Sequence, residues 1–273
     1  MRLEEKEAMT ARDLREMIRR REWEPDETGT EYYCRGYSQH SLHIVPVDYA
    51  FEFLVFCLRN PRACYVADVC DVGSPHPPFL GPDADVRTAC HRYRVYKDGV
   101  IVDEPPDIMK YWRDDLVAFL LNCSFGFEGV MRDKHVNWRT MGAFTSNIPY
   151  VPSGRFRSGN LIVTARLFST SLDAVRAIQI TSQLPVSHGY PIYIGDPAEI
   201  GIDLMHPDRW NPYPPDAPPL PQQPDEICMC WACAMTPENA IKAAKPPLAI
   251  TNYPIRMFVS DRRTEEFHSS FTT

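Results

Sequence analysis

The reading of this chain turns on residues 112–128, WRDDLVAFLLNCSFGFE. Asp114 and Asp115 open the stretch, Leu116 to Leu121 is apolar at every position, and Asn122, Cys123 and Ser124 follow together. An apolar run on every helical face leaves no side for water, so the spacing predicts a buried helix. That helix is expected to start near Asp107, with a second helical stretch continuing to about His135. The small polar residues at the end of the run are then delivered to a buried place, where they must be hydrogen-bonded. They are either structural caps or the floor of a pocket.

Around this stretch the chain has 273 residues, enough for a sizeable core in one large domain or two small lobes. The net charge of −7 opposes the phosphate attraction on which nucleic-acid binding depends. No apolar segment approaches the length of a membrane span, and MRLEEKEAMT lacks the apolar core of a signal peptide. The expectation is a soluble, cytoplasmic protein without nucleic-acid or membrane partners. Nine cysteines, an odd number scattered through apolar segments, suit reduced core thiols better than a disulfide framework.

Upstream, Thr10 with Asp13 resembles a cap for an amphipathic helix running to about Glu22. Residues 36–46 suggest a short strand, and Asp48 is placed to cap a helix whose Phe51, Leu54, Val55 and Leu58 share a face. Residues 65–70 read as a buried strand, and residues 92–102 alternate around Asp98-Gly99 as a hairpin. Downstream, residues 141–159 are turn-rich and carry no helical period. A strand at 161–168, a helix at 171–184 turning Leu172, Val175 and Ile178 inward, and a strand at 190–194 follow. Residues 207–224 hold eight prolines and read as an extended surface loop. Ile227 to Cys233 returns to a strand, Thr236-Pro237 opens a helix, two short strands follow, and the tail from residue 262 is expected to be loose. Strands alternating with helices argue for an α/β sheet, with sites at the strand ends.

Several groups at element ends carry chemistry. His188 precedes a strand, where it can shuttle protons or bond its own loop. Asp196 follows Gly195 and can instead cap a helix. Cys123 is a nucleophile only with a base nearby and otherwise core, and Glu128 or Asp115 serves as acid or base only if burial shifts it. In residues 228–233, CMCWAC, a strand puts Cys228 and Cys230 on one face and Cys233 on the other, which suits core thiols better than a metal. No P-loop, dinucleotide loop or G-x-S-x-G elbow is present.

The stretch 112–128 resembles the signature of the hydro-lyase family related to D-glutamate cyclase, W-x-D-D-L-V-x-F-L-x-G-C-S-F-S-F-E. Asn122 and Gly126 stand where Gly and Ser are usual. Further blocks between Gly36 and Asp261 are similar to the family's: G-Y-x-Q-x-N-L, with Gln39 kept and Ser41 replacing Asn; F-C-x-R-N-P; T-N-I-P-x-x-P-x-G at Asn147 to Gly154; and H-G-x-P at His188. Two family histidines are missing, because H-x-G-D-P appears as Tyr193 to Pro197 and I-T-H ends in Asn252.

The resemblance implies one cyclase-like domain over residues 1–273. Its fold is α/β, a mixed sheet with flanking helices plus a second, smaller α+β lobe inserted at roughly 65–150. The related cyclase converts D-glutamate to 5-oxo-D-proline with loss of water, which needs a base, an acid and oxyanion donors. By resemblance His188 is the base or acid, Ser124 and Asn147 the donors, and Asp196 the group orienting the ammonium. Gln39, Asn122, Cys123, Glu128, Tyr193 and Asn252 are expected to line the substrate. A small-molecule substrate, no cofactor and no metal follow, with homo-oligomerisation open. Without the two imidazoles, the alternatives are a weakened cyclase, a relative redirected to a larger apolar metabolite, and a binding protein without catalysis.

Overall fold

Leu116–Leu121 is a β-strand, and the helix expected there begins only after Ser124. All six residues are buried and divide by parity: Leu116, Ala118 and Leu120 enter one apolar cluster, and Val117, Phe119 and Leu121 enter another. A period of two thus fills two cores at once, which a run apolar at every position permits as readily as a buried helix does. Length separates the two readings, since six residues between Asp115 and Asn122 suit a strand.

The computed structural model describes residues 1–26, 28–214 and 217–268. Its elements run α1 (Leu3–Ala8), α2 (Ala11–Arg19), β1 (Tyr37–Pro46), α3 (Val47–Arg59), β2 (Val66–Val69), β3 (Tyr93–Lys97), β4 (Val100–Asp103) and β5 (Leu116–Leu121). Then come α4 (Phe125–Asp133), β6 (Arg139–Pro149), β7 (Asn160–Phe168), α5 (Ser171–Ser182), β8 (Tyr193–Ile194), β9 (Ile227–Ala232), α6 (Met235–Ala244), β10 (Ala249–Asn252) and β11 (Phe258–Arg263). The larger sheet has seven strands in the order β2-β5-β1-β10-β3-β4, with β11 on the first half of β1; the smaller has four, β6-β7-β9-β8. Helices flank both, so the fold is the mixed α and β class expected. Every pairing among the described strands is antiparallel, which the alternation of strands and helices did not indicate.

Residues 65–150, expected as an inserted lobe, are shared between the sheets: β2 to β5 join β1 and β10, while β6 joins β7. The turn-rich stretch from 141 begins as strand β6, whose register breaks near Gly142 and again before Pro149, hiding its period. In α3 the buried face is Phe53, Phe56 and Cys57, with Phe51 and Leu58 exposed. In α5 it is Ala174, Ala177 and Thr181, with Leu172 and Val175 exposed, because small residues let a helix lie close on its neighbours. Helix α6 starts at Met235, and the Thr236 hydroxyl accepts from Ile162 N–H at 3.0 Å instead of capping the helix.

The Pro-rich loop is pinned to β6 by Arg139, which donates to the Leu220 and Pro221 carbonyls, and by Tyr213 donating to Thr140 O. Gly142 allows the close approach of Trp210, since a Cβ there would lie 2.6 Å from Trp210 O at a φ of +127°. The tail continues as β11 and a 3-10 turn whose Phe267 packs on the core; its last residues, 269–273, lie outside the described residues. Among the described residues no helix is long and apolar enough to cross a membrane.

Two expectations follow. Burial pushes the β1 histidines down, His40 to about 3 and His43 to about 4. As pH falls below 6.5 the unfolded chain takes up these protons and the folded chain does not, so stability falls. Urea unfolding between pH 6.5 and 5 should show that slope, shallower in His40→Gln; a flat wild-type profile would overturn the argument. Second, a Cβ on Gly126 would lie 2.2 Å from Ser187 Oγ but 3.4 Å from its Cβ. Gly126→Ala should therefore destabilise by about 1–3 kcal/mol through overpacking. In a Ser187→Ala background it should become neutral or gain up to about 1 kcal/mol of helix propensity; chemical denaturation of the four proteins reads this cycle.

Candidate active site

Strands β5 and β9 are built alike. Like β5, β9 is buried on both faces: Cys228 and Cys230 enter one apolar cluster, and Met229 and Trp231 another. Each strand ends in the interior, and each is followed at once by a cysteine and a helix: Asn122-Cys123-Ser124 before α4, Cys233-Ala234 before α6. Each helix carries a glutamate five residues after the cysteine, Glu128 and Glu238. Neither has a side-chain cap on its first turn. The leading N–H groups of a helix have no partner within it and carry the positive end of its dipole. Both helix starts border one cavity of about 100 Å³, lined among others by Cys123, Ser124, Phe125, Cys233, Ala234 and Met235.

The charges around this cavity are anchored from behind. Arg166 on β7 is 1% exposed; its Nε donates to Glu128 Oε1 at 3.0 Å, Nη2 donates to the same oxygen, and Nη1 donates to Thr164 Oγ1 at 2.9 Å. The guanidinium also lies 4.8 Å and 5.2 Å from the ring centres of Phe127 and Trp231. A buried charge is tolerated only when paired and bonded in this way. Glu238 Oε1 accepts from Tyr96 Oη at 2.7 Å and Lys242 Nζ at 2.8 Å, with Arg94 Nη1 at 3.5 Å. Burial acts to raise its carboxyl pKa, but these donors outweigh it and hold the carboxyl below its ordinary value. Glu31 is different: burial first, and then the Glu128 charge, push its carboxyl up to about 7 despite the Arg132 guanidinium at 2.8 Å.

His188 also lines the cavity, in a left-handed backbone conformation at φ 73°. Its Nδ1 is 2.8 Å from both Arg62 O and Asn122 Nδ2, and burial lowers it to about 4, so the ring is neutral near pH 7. With Nδ1 engaged, Nε2 is the nitrogen available to a ligand. Burial raises the Cys123 thiol, and pushes Cys233 up to about 11, so neither presents a thiolate at neutral pH. Among the described residues no group of three or more His, Cys, Asp or Glu is placed to hold a metal ion.

Of the residues singled out in the sequence, Cys123, Ser124, Glu128, His188 and Asn252 line this cavity, and Asn122 holds His188 from outside it. Asn252 is occupied structurally: Oδ1 accepts from Leu42 N at 2.8 Å and Nδ2 donates to Tyr253 O at 3.0 Å. Gln39 lies outside the cavity, donating to Thr30 O at 2.8 Å. Asn147, Asp196 and Tyr193 lie together elsewhere. Asn147 Nδ2 donates to Glu199 O, Tyr193 Oη donates to Asp196 O and Glu199 Oε2, and the exposed Asp196 caps a 3-10 turn through Ala198 N. Strand β8 is an edge strand paired only with β9, so its end delivers these groups toward solvent rather than inward. The sequence reading missed Arg166, Glu31, Glu238 and His43. A charge inside the apolar strand LIVTARLF, and the recurrence of Cys-x4-Glu after two apolar strands, were the available signals.

The D-glutamate cyclase family is matched over residues 117–261, from β5 to β11. A protein provisionally named hydro-lyase from Bradyrhizobium diazoefficiens is 44% identical over 233 residues, 83% of each chain. Ones of the same provisional name from Rhizobium johnstonii and Geobacillus kaustophilus are 41% identical over 91% of each chain, and 39% identical over 94% of this chain and 96% of the other. The matched segment contains both strand–cysteine–helix units, and the chain belongs to the D-glutamate cyclase family of carbon–oxygen lyases.

Proposed function

We propose that the cavity carries out the dehydrative cyclisation of a small amino dicarboxylate such as D-glutamate to 5-oxo-D-proline. One observation carries this reading: two helix starts without side-chain caps border one cavity beside a buried arginine. Such a space favours a ligand with a negative group at each end. In the reaction the nitrogen of the ammonium bonds to the side-chain carboxyl carbon and gives up two protons, while one carboxyl oxygen takes up two and leaves as water. At the α4 end, the helix N–H groups and the Ser124 hydroxyl receive the α-carboxylate, and Glu128 faces the ammonium. Glu31, poised at about 7, takes a proton from nitrogen, with the neutral His188 ring beside it. At the α6 end, where Thr236 N–H already donates to Cys233 O and Pro237 has no N–H, the positive end of the helix dipole favours the oxyanion that develops on the attacked carboxyl.

A second reading is favoured by one further feature. A cleft of about 620 Å³, walled by Tyr32, Trp138 and Tyr213, shares Glu31, Thr140 and Trp210 with the cavity. This adjoining space suits a larger metabolite that keeps its carboxylate inside and extends outward.

The protein incubated with D-glutamate should release 5-oxoproline, followed by NMR, and bind D-glutamate measurably by calorimetry. Binding without product would favour a non-catalytic binder, and neither would favour the larger metabolite. Ala234→Asp places a carboxylate at the start of α6, where it caps the helix and repels an anion. The variant should keep its circular dichroism spectrum and bind D-glutamate on the order of tenfold more weakly; unchanged affinity would remove α6 from the site.

A further inference from the structure

We propose that His43 is a further catalytic residue of the cavity, the group that returns a proton to the departing oxygen at the α6 end. The proposal rests on the cyclisation reading above and supplies the proton donor which that reading leaves unfilled there.

His43 sits mid-way along β1, paired with Phe119 of β5 on one side and Thr251 of β10 on the other. It is 2% exposed and lines the cavity together with Ser41, two positions earlier on the same face of the strand. Val45, two positions later on that face, is core, so Ser41 and His43 interrupt a row that continues as apolar. Phe53 packs against the ring at 6.1 Å.

The bonding of the ring is what sets it apart. His43 Nδ1 is buried without a hydrogen-bond partner. The carbonyls of Ser41 and Ala234 and the carboxylate of Glu238 lie close enough to favour the protonated ring, yet burial outweighs them and leaves it neutral. Ala234 and Glu238 flank the start of α6, which places the imidazole beside the helix end assigned to the oxyanion. His40, on the same strand, shows the structural alternative: both of its nitrogens are bonded, to Ser38 Oγ at 2.8 Å and to Leu121 O at 3.2 Å. Polar atoms sealed in a fold are nearly always paired, and an exception beside a cavity marks a place completed by a ligand.

A neutral imidazole carries one N–H and one lone pair, so it can accept a proton lost by nitrogen and deliver it to the leaving oxygen, ending unchanged. The two protons that travel from nitrogen to oxygen then have two carriers: Glu31 and His43 each take one from nitrogen, give one to the leaving oxygen and end as they began. The departing group leaves as neutral water.

The test compares wild type with His43→Phe, using histidine-labelled protein and two probes: D-glutamate for turnover, and glutarate as a dicarboxylate without the reacting amine. In wild type the His43 ring nitrogens, identified by their absence from the variant spectrum, should shift on adding glutarate. His43→Phe should bind glutarate within about threefold of wild type and keep its KM for D-glutamate, while kcat drops roughly 10²- to 10⁴-fold. If kcat stays within threefold, or the ring nitrogens do not respond to glutarate, His43 is a core residue and the proposal is overturned. Should wild type fail to turn over D-glutamate, the cyclisation reading falls by itself, and the glutarate response still decides whether this ring meets a carboxylate ligand. If His43→Phe does not fold, His43→Gln carries the same comparison.

Discussion

A strand buried on both faces has to end where its neighbours are, inside the protein, and the chain that leaves it must satisfy its backbone there. Strands β5 and β9 impose this constraint twice. In both cases the chain turns straight into a helix, so the leading N–H groups of α4 and α6 go without side-chain caps. Partners for such groups have to come from outside the helix, and the fold brings both sets to one cavity. The charges nearby follow from the same constraint. Glu128 and Glu238 sit in the first turns where the helix dipole favours them, and each is held through Oε1 by cations: Arg166 of β7 for Glu128, and Arg94 of β3 with Lys242 of α6 itself for Glu238.

Much of this was legible from residue pattern, and the exceptions have physical causes. The Asp98-Gly99 hairpin, the Thr10 cap and strands β1, β7 and β9 follow from local signals that do not depend on distant partners. The run Leu116 to Leu121 was ambiguous because a segment apolar at every position carries no period. Its parity appears only when two different clusters claim alternate residues. The faces of α3 and α5 depart from the pattern of large apolar residues for a related reason: in α5 Ala174 and Ala177 make the close approach and Leu172 faces solvent, and in α3 Phe51 and Leu58 are exposed.

The site divides along the same line. Residues adjoining the interior strand end, from Asn122 to Glu128, were identifiable because burial there follows from the sequence itself. Asn147, Tyr193 and Asp196 sit at an edge of the smaller sheet, and which edge faces solvent is a property of sheet order that no local pattern encodes. The two positions lacking family imidazoles also separate in space. Tyr193 belongs to that outer cluster, while Asn252 uses its amide to tie Leu42 to β10. His43 and Arg166 went unnoticed because a single polar residue inside a strand looks the same in sequence whether it is a paired core group or a cavity wall.

The paired strand–cysteine–helix units give the cavity an approximate likeness between its two ends. A pocket that presented identical ends would hold an elongated dianion equally well either way round and could not set which end of it meets which helix. Direction must therefore be read by the features in which the halves differ. Arg166 backs one glutamate and Lys242 with Arg94 the other, and Ser124 opens one helix where Ala234 opens its counterpart. The direction in which a ligand lies across this cavity is set by those mismatches, not by the shared framework that creates the hollow.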